Sequence, residues 1–148
     1  MIGYLNEHFV PVQLNQNEWA QLARTYAVAW TPTLVVEHHR GARVRSWIGY
    51  LAPDQFLPEL ELAHAQHALR SARPGQARQQ LRALRTDHPE AFVVPEAIYW
   101  EGIAAYRESG EKEPLWETWR ELVRRFPGSP WTMRTTLLEE DGPTHRER

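Results

Sequence analysis

From about residue 60 onward the apolar residues recur only at helical spacing, and part of that pattern repeats at an offset of 38. Leu81-x2-Leu84-x4-Pro89 lines up with Trp119-x2-Leu122-x4-Pro127, and Arg73-Pro74-Gly75 falls near Gly110-Glu111-Lys112. Each copy reads as a helix, a Gly-containing turn, a second helix and a terminating proline. Units of this kind bury their apolar faces only against neighbours, which restricts this half of the chain to stacked helical hairpins. Trp100 and Trp119 fit as knobs between hairpins, because a small helical array needs large buried surfaces. Trp116 and Trp131 remain open between that role and an aromatic groove that binds a partner.

The first 60 residues carry a different pattern. Phe9-Val-Pro-Val-Gln-Leu14 reads as a short strand, and Pro11, which removes a ladder donor, suits only an edge. Asn15 and Glu18 have capping-box spacing ahead of a helix that places Trp19, Leu22, Ala23, Tyr26 and Ala27 on one face. That helix must stop before Trp30-Thr31-Pro32, since the residue preceding a proline is pushed out of the α region. Thr33-Leu34-Val35-Val36 is a β-branched run of the kind buried on both faces of a sheet. A turn around Arg40-Gly41 leads into a second strand over 42–48, in which Val44 and Ile48 alternate with Arg43, Arg45 and Trp47. Pro53 can open a helix, and Pro58, one turn further in, is expected to bend or restart it. A long helix over 53–72 would be shared by both halves.

The chain of 148 residues, 42% of them hydrophobic, suffices for one ordinary domain or two small ones. Its formal charge of −2 gives no field to draw nucleic acid or an anionic membrane. No apolar run approaches the roughly 20 residues of a spanning helix, and Met1-Ile2-Gly3-Tyr4-Leu5 has no signal-peptide character. A soluble, cytoplasmic protein is expected, with neither nucleic acid nor membrane among its partners. Cysteine is absent, which removes disulfides, thiolate nucleophiles and Cys-based zinc sites together.

Several stretches between Phe9 and Leu62 nonetheless resemble the thioredoxin family after its active-site helix. They are Phe9-Val10-Pro11-Val12, the helix ending Leu22-Ala23-x2-Tyr26-x-Val28, and Trp30-Thr31-Pro32-Thr33-Leu34-Val35-Val36, followed by Gly41, Val44, Gly49-Tyr50 and Pro53-x2-Phe56-Leu57-x2-Leu60. The resemblance implies that Pro32 is the family's cis-proline and that Thr31 and Pro32, with Trp30 beside them, contact extended peptides. The other reading of Thr31-Pro32 is that it merely ends a helix and aims a strand. In the family a central strand and a Cys-x-x-Cys helix precede the matched segment, and here only Met1 to His8 stands in that place. The strands at 9–14 and 33–37 would then pair directly, recruit a strand from another chain, or leave donors unpaired. The resemblance therefore leads one to expect that Met1 is an internal or misassigned start, or that the chain is a truncated relative. The segment Ile98-Tyr99-Trp100-Glu101-Gly102-Ile103-Ala104-Ala105-Tyr106 resembles tetratricopeptide hairpins, with the Gly102-to-Tyr106 spacing one residue longer than usual.

Polar clusters add little. His64 and His67 stand at i, i+3 on a helix and could share a metal ion, but no third ligand can be placed, so a solvated face is preferred. His38 and His39 point to opposite faces if their strand continues and so would not easily chelate together, but a turn is the preferred reading. Glu59, Glu61, Glu111, Glu113, Glu139 and Glu140 read as solvated, and the arginines at 120, 124 and 125 as salt-bridged to Glu117 and Glu121. No catalytic residue, metal site or cofactor is assigned. The expected architecture is α/β plus α: a partial thioredoxin-like domain of about three strands (1–62), tetratricopeptide-like hairpins (63–140) and a disordered tail (141–148). The expected function is a redox-inactive, non-catalytic adaptor binding a protein or peptide through Thr31, Pro32, Trp30, Trp116 and Trp131. Self-association through unpaired strand edges is a further expectation. The alternative is a thiol–disulfide oxidoreductase whose Cys-x-x-Cys lies in an upstream segment.

Overall fold

A computed structural model describes residues 1–136, so the expected tail at 141–148 and Glu139 and Glu140 lie outside the described residues. In chain order the elements are α1 (Ile2–His8), α2 (Ala20–Thr25), β1 (Thr33–Glu37), β2 (Arg43–Ile48), α3 (Pro53–Arg70), α4 (Pro74–Asp87), α5 (Val94–Ser109) and α6 (Lys112–Arg125). A 3-10 turn follows at Thr132–Arg134. Each of the helices α3 to α6 packs on the next in sequence, as short connections between antiparallel neighbours dictate.

The offset of 38 is carried into the backbone. α4 and α6 each span 14 residues with ends displaced by that offset. Their last residues give way to His88 (φ −131, ψ 59) and Phe126 (φ −133, ψ 57), whose amides donate to Leu84 O and Leu122 O. Leu81, Leu84, Trp119 and Leu122, the residues that define the repeat, are buried in the same places of the two copies. The core combines Leu81, Leu84 and Leu122 with Leu62, Leu69, Val93, Val94, Ala97 and Ile98. Full burial of side chains this size contributes about 1.5–3 kcal/mol each, so the helical half carries most of the apolar stabilisation.

Of the two repeat turns, the first differs from the pattern read off the sequence. Gly75 lies inside the first turn of α4, behind Pro74, and the left-handed residue of that connection is Ala72 (φ 56). In the second copy Gly110 (φ 78) takes the left-handed cap of α5, as expected of a glycine there. Pro58 does not restart its helix, for α3 runs unbroken for 18 residues. It is also fully buried, so its ring adds packing that offsets the lost hydrogen bond.

The first half departs most from expectation. A three-stranded thioredoxin-like layer is not formed. The one sheet among the described residues is the antiparallel pair β1–β2, in register Thr33 to Ile48 with an irregularity between Val36 and Glu37. Residues 9–14 join no sheet, and Val10 is 90% exposed. A strand is stable only against a neighbour, and none flanks this Pro-containing stretch. The capping box is replaced by a local turn in which Asn17 N donates to Asn15 Oδ1, and the helix behind it is reduced to six residues with none buried. Val35 and its neighbours in β1 are half-buried rather than enclosed on both faces. No helix among the described residues is long and apolar enough to cross a membrane.

Gly102 and Ala72 give opposite tests of this packing. A Cβ on Gly102 would stand 2.9 Å from Trp119 Cδ1 and Nε1, and that indole is held by its hydrogen bond to Tyr99 O at 3.1 Å. Gly102→Ala is expected to lower stability by about 1–3 kcal/mol through overpacking. Ala72→Gly is expected to raise it by up to about 1 kcal/mol by relieving a left-handed alanine. Urea unfolding of the two variants checks both signs.

Candidate functional site

The β1–β2 hairpin is the platform on which every exposed candidate of the first half is displayed, and one side chain fixes it to the helices. Arg45 of β2 donates from Nη1 and Nη2 to the two carboxylate oxygens of Glu96 (2.8 and 2.9 Å) and from Nε to Glu59 Oε1 at 2.5 Å. Gln66 Nε2 and Trp100 Nε1 also donate to Glu96 Oε1, at 3.0 and 3.1 Å. Glu59 is 3% exposed and Glu96 8%. Both carboxylates are therefore desolvated against a single guanidinium. Burial by itself would lower the pKa of Arg45, but the hydrogen bonds and charge of Glu96 and Glu59 hold it above its usual value. Arg70 of α3 adds hydrogen bonds to Arg43 O and Val44 O along β2. The expectation that Glu59 is solvated is thus corrected: it faces inward from α3 onto the hairpin.

Outside this node, little of the first half is enclosed. Among residues 1–52 only Val44 is buried, while Val10, Val12, Leu14, Trp19, Trp30, Ile48 and Tyr50 are exposed, Trp30 at 71% and Tyr50 at 79%. Trp30, Thr31 and Pro32 form an exposed loop at the start of β1, in which the Thr31–Pro32 peptide bond is cis and Thr33 Oγ1 donates to Trp30 O at 2.6 Å. Gly49 N donates to Pro32 O at 2.8 Å, which closes the open end of the hairpin beside Tyr50. Among the described residues no strand pairs with the outer edge of β1.

The two aromatic candidates of the second half sit apart from this loop. Trp116, half-buried on α6, lies under the Lys112 ammonium at 5.6 Å. Trp131 packs against the core beside Tyr99 and Trp100 and carries Arg134 over its ring at 4.3 Å. Trp119 is buried and stacked on Tyr99, and Trp100 is half-buried against the core, in keeping with the sequence reading of both.

Imidazoles gather at the turn of the hairpin. His38 and His39 do not diverge as they would on a continuing strand, because β1 ends at Glu37 and a turn closed by Gly41 N to His38 O brings the two rings together. His67 of α3 lies beneath them. His64, its partner by sequence spacing, turns instead toward α1, where the Tyr4 hydroxyl is 3.1 Å from its Nδ1.

The remaining carboxylates divide between solvent and helix seams. Glu61 is half-buried, and burial raises its pKa, partly offset by His88 at 3.3 Å. Glu101 is buried and bonds to Arg82 and Arg85, and Glu121 bonds to Arg85 and Arg125. These pairs satisfy one another, consistent with a structural seam between α4, α5 and α6. No family model, curated protein or solved structure matches this chain.

Arg45→Met is expected to cost about 3–5 kcal/mol, because it strands two buried carboxylates. Adding Glu59→Gln and Glu96→Gln should restore most of that loss. Denaturant midpoints of the single and triple variants measure it; equal loss in both would assign the effect to packing rather than charge.

Proposed function

We propose that the chain is a cytoplasmic, non-catalytic binding module that accepts an extended segment of another polypeptide along the free edge of β1. The observation that carries this reading is the imbalance of burial in the first half. Seven large apolar side chains, from Val10 to Tyr50, stand in solvent in a segment, residues 1–52, that buries only Val44. So many exposed large apolar side chains beside so little core are the composition of a contact surface rather than of a free one. A two-stranded sheet is also marginal by itself, and a third strand laid on β1 would pair its open backbone while covering the exposed side chains. Trp30, Thr31 and Pro32 at the head of β1, with Ile48 and Tyr50 at the end of β2, are the residues assigned to that contact.

A photo-crosslinking amino acid at Trp30 or Tyr50 is expected to capture a defined segment of a different protein in the source cells, identified by mass spectrometry. The same probe at Arg124, exposed on α6, should not capture it. Crosslinks between copies of this chain alone would replace the adaptor reading with self-association through strand edges. No crosslink at either position would refute both.

A further inference from the structure

We infer that His38, His39 and His67 form a three-imidazole site for a divalent transition-metal ion, of which Zn²⁺ is the natural occupant. This site is separate from the proposed polypeptide contact, since it lies at the turn of the hairpin rather than at its open end.

One ligand nitrogen from each ring lies within 4.8 Å of the others. The ring centroids of His38 and His39 are 3.8 Å apart, and those of His38 and His67 are 4.8 Å apart. A zinc ion bonds imidazole nitrogen at about 2.0–2.1 Å, so closure needs the three rings to draw in by about 1 Å, within the reach of side-chain rotation on a turn. The geometry alone would suit any close group of histidines. One further observation points to a ligand. His67 Nε2 is buried and has no hydrogen-bond partner, although it stands beside polar rings. An orphaned buried nitrogen is a cost that ligation removes.

The chemistry of the set selects the ion. Three imidazoles and no carboxylate favour Zn²⁺, Cu²⁺ or Ni²⁺ over Mg²⁺ and Ca²⁺, which require oxygen ligands. His38 Nδ1 accepts the Arg40 amide at 3.2 Å, a long bond that ligation through either ring nitrogen would displace, because an amide N–H cannot accept from a protonated Nδ1. Arg40 and Arg73 contribute positive charge nearby, which leaves the fourth position to water or an anion rather than to a fourth basic ligand. The ion would tie the turn between β1 and β2 to α3, at the end of the hairpin that Arg45 does not reach.

Titration calorimetry of the full chain, stripped with chelator, is expected to show one equivalent of Zn²⁺ bound. His39→Gln and His67→Gln should each weaken binding at least about tenfold, a loss usual even for outer-shell partners. His39 is exposed on the turn, so its variant tests ligation without disturbing the core. His64→Gln and His88→Gln should leave affinity unchanged. Co²⁺ in place of Zn²⁺ should give the intense visible absorption of a four-coordinate site, lost in His39→Gln. Absence of saturable Zn²⁺ binding would overturn the assignment. So would binding indifferent to His39 and His67, or binding abolished by His64→Gln alone.

Discussion

One guanidinium, that of Arg45, compensates two carboxylates brought from different helices into a dry interface, and the position of the hairpin depends on it. Buried ion pairs contribute little net stability, because desolvation consumes most of the Coulombic gain. They do impose geometry. An arginine bidentate on Glu96 and bonded through Nε to Glu59 admits one orientation of β2 over α3 and α5. Trp100 and Gln66, which also donate to Glu96, tie that orientation to the packed face of the helices. The apolar stack supplies stability, and the polar node determines where the hairpin is presented.

How far the sequence disclosed this depends on the range of the interactions. The repeat was legible because Leu81, Leu84, Trp119 and Leu122 encode helix faces at local spacing, and nearest-neighbour stacking preserves that register in space. The hairpin was legible for the same reason, through a β-branched run and a glycine at the turn. The strand expected at 9–14 failed because Phe-Val-Pro-Val-Gln-Leu specifies β-propensity but not a partner, and no neighbour flanks it. Arg45 and Glu59 were illegible: each is a charged residue in an amphipathic element, indistinguishable by spacing from a solvated one. Only the crossing of β2 over α3 and α5 turns them inward. A turn at His38 and His39 was legible, but the imidazole cluster became visible only once that turn folded them over His67.

The two halves therefore stand in unequal positions. α3 to α6 bury a continuous core, with buried Glu101 of α5 bonded to Arg82 and Arg85 of α4 across a helix seam. Residues 1–31 bury no side chain, α1 touching α3 chiefly through Tyr4 and His64. A segment that exposes Trp19 and Trp30 while contributing nothing to the core gains most from a polypeptide laid against it. The proposed adaptor role follows from that inequality, and a metal at the hairpin turn would stiffen the same platform from its other end.

Native-state hydrogen exchange of the isolated chain tests the division of labour most directly. Amides of α3 to α6 should exchange only with global unfolding, and those of β2 should share that protection because Arg45 anchors the strand to the helices. Amides of residues 1–31 should exchange far faster. Protection of residues 1–31 equal to that of α4 and α5, or exchange of β2 as freely as α1, would contradict it.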